Sequence, residues 1–174
     1  MRKTTYLEVT FALLGFLICA GPAAAAPWTT VGSAGTIDEA DLNLVTMNHG
    51  VAYLGGGAPV GSVANIRYNV VAVDDLQVGG APWMQVRFKD NGAGAQVVLR
   101  LKAYNVSTGM TTTLLTFDSN DFEASGVYQE QEVFSCYGSF DFYNNAYYVD
   151  AEIKKTADNG RPALSIVIVG YTIC

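Results

Sequence analysis

The fold is decided by Phe140-Asp141-Phe142-Tyr143-Asn144-Asn145 and the two segments behind it, Ala146 to Lys155 and Ala163 to Tyr171. The six opening residues form an aromatic connection. The two segments read as strands, joined across the tight turn Asp158-Asn159-Gly160. The second is apolar on both faces: Leu164, Ile166 and Ile168 point one way, Ala163, Val167 and Val169 the other. A short run of that kind predicts a strand buried between two layers. Cys174 follows it, and its expected partner is Cys136, just ahead of the stretch.

Upstream, the same period of two recurs. Trp83 to Lys89 places Met84, Val86 and Phe88 on one face and Trp83, Gln85, Arg87 and Lys89 on the other. Such alternation predicts a strand with one face buried and one wet. Asp90-Asn91-Gly92 follows, and Asn-Gly supplies the positive φ angles of a tight hairpin. Gln96 to Tyr104 is then the partner strand, and Thr111 to Phe117 returns after Ser107-Thr108-Gly109, completing a three-strand meander. Val63 to Val73 and Tyr128 to Phe134 are further strands. Residues 26–60 are poorly patterned and read as a strap or as edge strands, with Leu44 to Met47 and Val51 to Leu54 as short candidates. No helical period appears after the N-terminal segment. The fold class is therefore all-β: a two-sheet antiparallel β-sandwich of about eight strands, jelly-roll-like first and immunoglobulin-like second. An outer-membrane barrel also alternates, but its wall has a polar lumen face that the last strand lacks.

The N-terminus reads as a targeting segment. Arg2 and Lys3 make a positive n-region, Phe11 to Ala20 an apolar core, and Ala23 to Ala26 offer small-residue cleavage sites. Residues 1–25 are the expected signal peptide and 26–174 one β-sandwich domain. The apolar run is too short to span a membrane, and nothing later resembles a span. The chain carries a net charge of −6, which argues against nucleic acid as a partner. Secretion, extracellular or periplasmic in a bacterial-type cell, is the expected location. In that setting Cys136 and Cys174 read as a disulfide.

Five patterns bear on chemistry. His49, the only histidine, lies in an expected loop, and no Gly-x-Ser-x-Gly elbow surrounds a serine. Glu130 and Glu132 share a strand face about 7 Å apart, a spacing that any solvated acidic strand shows. Asp118, Asn120, Asp121 and Glu123 put three carboxylates and an amide into six residues of loop. That set suits calcium, or else the capping of a turn by Asp and Asn. Tyr137, Tyr143 and Tyr148, with Asn144 and Asn145, belong to an aromatic cluster interleaved with amides and carboxylates. Rings flanked by amides suit sugars, which stack their C–H faces and hydrogen-bond their hydroxyls. Asn105-Val106-Ser107 matches a glycosylation sequon at a tight turn.

The expected function is an exported, non-catalytic binding module for glycan or cell-surface material, with no cofactor unless calcium. A self-assembling extracellular or envelope subunit is the alternative, and a hydrolase the third. Exposed rings favour the first, and a long unpaired strand edge the second.

Overall fold

Alternation fixes which side chains face the core. In β5 (Val63–Val70), Ala64, Ile66, Tyr68 and Val70 are buried and their neighbours are not. β6 (Ala81–Asp90) buries Met84, Val86 and Phe88, and β7 (Ala95–Asn105) buries Val97, Leu99 and Leu101. β10 (Asn145–Lys155) buries Tyr147, Val149, Ala151 and Ile153. The remaining strands are β1 (Trp28–Val31), β2 (Thr36–Ile37), β3 (Val45–Asn48), β4 (Val51–Leu54), β8 (Thr111–Asp118), β9 (Ser125–Phe134) and β11 (Ala163–Thr172). The computed structural model describes residues 27–73, 76 and 80–173. The expected signal peptide and Cys174 lie outside them.

The strands form two antiparallel sheets. One runs β3–β4–β11–β6–β9, with β1 also paired to β11; the other runs β2–β5–β10–β7–β8. Successive strands from β4 to β11 therefore change sheet at every step except β7 to β8. Numbered one to eight, they lie as 1-8-3-6 in one sheet and 2-7-4-5 in the other. That is the jelly-roll order, and it sets aside the immunoglobulin-like alternative.

Two expected hairpins are absent. β6 pairs with β11 and β9, and β7 with β10 and β8, so Asn91-Gly92 does not join paired strands. Only the β7–β8 hairpin of the expected meander forms. The Asp158-Asn159-Gly160 turn likewise crosses between sheets, from β10 to β11. Turn chemistry reverses the chain, and Gly92 does take a positive φ of 104°. It does not choose the partner. An arch stacks the apolar faces of β6 and β7 on each other, whereas a hairpin would set them side by side in one layer.

The two arches then clasp each other. Asn91 Nδ2 donates to Asn159 O at 2.8 Å, Arg161 N to Asn91 Oδ1 at 2.6 Å, and Thr156 N to Gly94 O at 2.9 Å. Gly94 and Gly160 touch so closely that a Cβ on Gly160 would lie 1.7 Å from Gly94 O.

The last strand also differs from expectation. A bulge between Leu164 and Ile166 shifts the register against β6. Leu164 enters the core, and after the bulge Val167 and Val169 do. Ile166 and Ile168 turn to the outer face and are half-buried beside Gln85, Arg87 and Glu130. One extra residue exchanges the faces of a strand, so β11 is covered on one side by the opposite sheet and on the other by neighbouring side chains.

Aromatic clusters close both ends of the core. Phe88 meets Phe117 edge-on at 5.0 Å, and Phe117 stacks on Phe122 at 5.3 Å. At the other end Phe140 meets Tyr147 at 5.1 Å and Phe142 meets it at 4.6 Å. The buried Asp90 carboxylate accepts from Ser119 Oγ and Gly92 N, and Ser119 Oγ accepts from Val97 N. Among the described residues no buried side-chain polar atom lacks a partner, as a stable interior requires.

Candidate functional site

The β9–β10 connection is built around an acidic turn. Phe140 is fully buried and anchors it, with Phe142 stacked 5.9 Å away. Tyr147 Oη accepts from Asp141 N at 2.6 Å. The Asp141 carboxylate accepts from Tyr143 N at 3.0 Å, from Asn144 N at 3.3 Å and from Asn144 Nδ2 at 2.7 Å. Asn145 N and Nδ2 donate to Asp141 O. The Asn144 side chain, opposed by some desolvation and helped by the two backbone N–H groups, holds the Asp141 carboxyl below its ordinary range.

This turn displays one ring at its apex. Tyr143 is 94% exposed, and Tyr137, earlier in the same connection, is 86% exposed. Phe140 and Tyr147 are core, Phe142 is half-buried against them, and Tyr137 and Tyr143 are surface. Asn144 and Asn145 are brought to the same place, but part of their hydrogen-bonding capacity holds the turn.

Tyr148 is elsewhere. Alternation puts it on the outer face of its sheet, where it is half-buried. Arg67 lies 5.4 Å and Lys102 6.0 Å from its ring. Around it are the ion pairs Lys102–Asp150 at 2.7 Å, Lys154–Glu152 at 2.6 Å and Arg100–Glu152. The cations occupy the ring that a sugar would need, so the three tyrosines do not form one platform.

The β7–β8 hairpin tip joins the exposed loop instead. Val106 N donates to Asn144 O at 2.9 Å, and Asn105 Nδ2 to Asn145 Oδ1 at 3.4 Å. Val106, Met110 and Tyr104 are exposed there. They carry no sequence signal of their own, because only this pairing of connections places them beside Tyr143. The sequon residue Asn105 is spent on its turn: its Oδ1 accepts from Ser107 N and Oγ and from Thr108 N and Oγ1.

The calcium candidates take the capping arrangement. Asp118 accepts from Asn120 N and caps the single 3-10 turn Ser119–Asp121, and both its oxygens accept from Gln96 Nε2. Among the described residues no three His, Cys, Asp or Glu side chains converge as a metal site. Asp118, Asn120, Asp121 and Glu123 are thus near in sequence but not gathered. Glu132 accepts from Trp83 Nε1 at 3.1 Å, and Glu130 faces Arg87 at 3.7 Å. His49 and Gly50, both at positive φ, form the two-residue turn of the β3–β4 hairpin.

No protein-family model matches the chain, and no curated protein matches it. Solved structures do. A family two carbohydrate esterase from Cellvibrio japonicus aligns over 86% of this chain at 12% identity and a TM-score of 0.41. This chain spans 35% of that protein's length. Carbohydrate-binding module CBM36 in complex with calcium and xylotriose aligns over 82% of this chain and 99% of its own, at 7% identity and TM-score 0.44. The CBM22-1 xylan-binding domain from Paenibacillus barcinonensis Xyn10C aligns over 87% and 99%, at 10% and 0.40. The strand pairing described above, and not these likenesses, defines the jelly roll.

Proposed function

We propose that this chain is an exported, non-catalytic module that binds glycan or cell-surface material through the surface around Tyr137 and Tyr143. The observation that carries this reading is the 94% exposure of Tyr143 on a turn locked by five hydrogen bonds to Asp141. A large ring held in water gains nothing for the fold, while a preorganised ring loses little entropy when a ligand stacks on it. Val106, Met110 and Tyr104 widen the apolar surface. Export is proposed from the Arg2–Ala26 targeting pattern.

A glycan array probed with the chain tests this. Tyr143→Ala and Tyr137→Ala should each weaken binding to the glycans that score, while changing stability by about half a kcal/mol or less. Unchanged array signals in both variants would remove this surface from the function.

Self-assembly is the second reading, favoured by β9. It is a ten-residue strand at the end of its sheet, with Val127 and Phe134 exposed. Such an edge offers unpaired backbone groups to another chain, although Glu130 and Glu132 on it oppose stacking of like copies. Solution mass measurement separates the two readings: a monomer that binds glycan supports the first, and a concentration-dependent assembly the second.

A further inference from the structure

A concavity lies at the end of the sandwich opposite Tyr143, on the outer face of the β3–β4–β11–β6–β9 sheet. Tyr53 on β4 pairs with Ala163 on β11, and Ala163 with Lys89 on β6. Tyr128 on β9 stands beyond Lys89. Because Ala163 is small, the row dips between two phenol rings. Pro162 and Arg161, from the β10–β11 arch, complete a hollow of about 230 Å³. This is smaller than the about 300–1,000 Å³ of pockets that take drug-sized ligands, and it suits one monosaccharide unit.

The charges in this hollow are one-sided. Its lining has two cations, Lys89 and Arg161, and no carboxylate, in a chain of net charge −6. Lys89 is half-buried and forms no ion pair among the described residues. A half-buried ammonium with no acidic side chain paired to it offers an anion a charge-assisted contact. Arg161 donates its Nη1 to Asp158 O and Gly160 O at 3.0 and 2.9 Å, which fixes the guanidinium and leaves its other nitrogens for a ligand. Arg87 stacks over Tyr128 at 5.9 Å and holds that ring in place. Tyr53 and Tyr128 both line the hollow; burial, and then the proximity of Tyr53, push the Tyr128 phenol up against the pull of Arg87.

We propose that this trough binds a carboxylate-bearing sugar, a uronate unit of an acidic polysaccharide, with Lys89 and Arg161 on the carboxylate and Tyr53 and Tyr128 against the ring. Two rings on the walls favour a sugar over a bare inorganic anion, since phosphate has no C–H face to stack. The site shares no residue with the surface around Tyr143, so either can fail alone.

The test is calorimetric titration of the full exported chain with oligogalacturonate, with the same oligomer fully methyl-esterified, and with inorganic phosphate. Oligogalacturonate should bind, and the ester and phosphate should bind at least about tenfold more weakly. Lys89→Met should cost about tenfold for oligogalacturonate, and Tyr143→Ala nothing. Amide NMR shifts on titration should include Arg161 and Ala163, which locates the site even if a variant proves unstable. Equal binding of the ester, equal binding of phosphate, an unaffected Lys89→Met, or shifts confined to residues 135–145 would each overturn the proposal.

Discussion

Tyr68 shows how one buried polar atom ties the N-terminal strap to the core. Its Oη donates to Gly32 O at 2.7 Å, and burial pushes the phenol well above its ordinary range. Tyr68→Phe keeps the ring but removes a buried hydrogen bond to that carbonyl, so unfolding stability should fall by about 0.5–1.5 kcal/mol. Urea titration of both proteins measures it. Glu152 is a residue whose effect depends on pH. Burial alone would raise its carboxyl, but hydrogen bonds from Lys154 and Arg100, and their charges, outweigh this and hold it below its ordinary 4.5. A depressed folded value means the contribution is complete above the unfolded value and is lost as pH falls through the folded one. Stability should therefore decline with acid below about pH 5, and Glu152→Gln should flatten part of that decline in melts taken from pH 6 to pH 3.

At the scale of elements, the arches matter more than the turns that begin them. The Asn91–Gly94 and Thr156–Arg161 segments hydrogen-bond to each other and meet at two glycines. Gly160→Ala would force backbone apart, and overpacking of this kind costs about 1–3 kcal/mol. Gly56 has open space around it, so Gly56→Ala is the control and should be close to neutral. Thermal melts of the two variants decide whether the clasp supports the fold. The acidic turn at Asp141 works similarly for the exposed loop, since it converts a flexible connection into a fixed display of Tyr143.

For the whole molecule, the disulfide expected between Cys136 and Cys174 would tie the β9–β10 connection to the end of β11. A closed loop of about 38 residues contributes roughly 4 kcal/mol by chain entropy. Intact-mass alkylation of the exported protein should find neither thiol titratable, and Cys174→Ser should lower the melting temperature. Two titratable thiols in the native form would refute the bridge. The amino-acid sequence by itself determined most of the strands, the inner and outer faces of those from β5 to β10, the β7–β8 hairpin, and the aromatic connection between β9 and β10. These are local properties: period two needs only neighbouring residues, and Asp141 reaches only the next few. Tertiary structure alone decided that β6 and β7 lie in different sheets, that the bulge after Leu164 reverses β11, that Arg67 and Lys102 cover Tyr148, and that Tyr53 and Tyr128 line one hollow with Ala163. The physical reason is common to all four. Strand partners are selected by the apolar area that the whole chain buries at once, and no short stretch of sequence contains that sum.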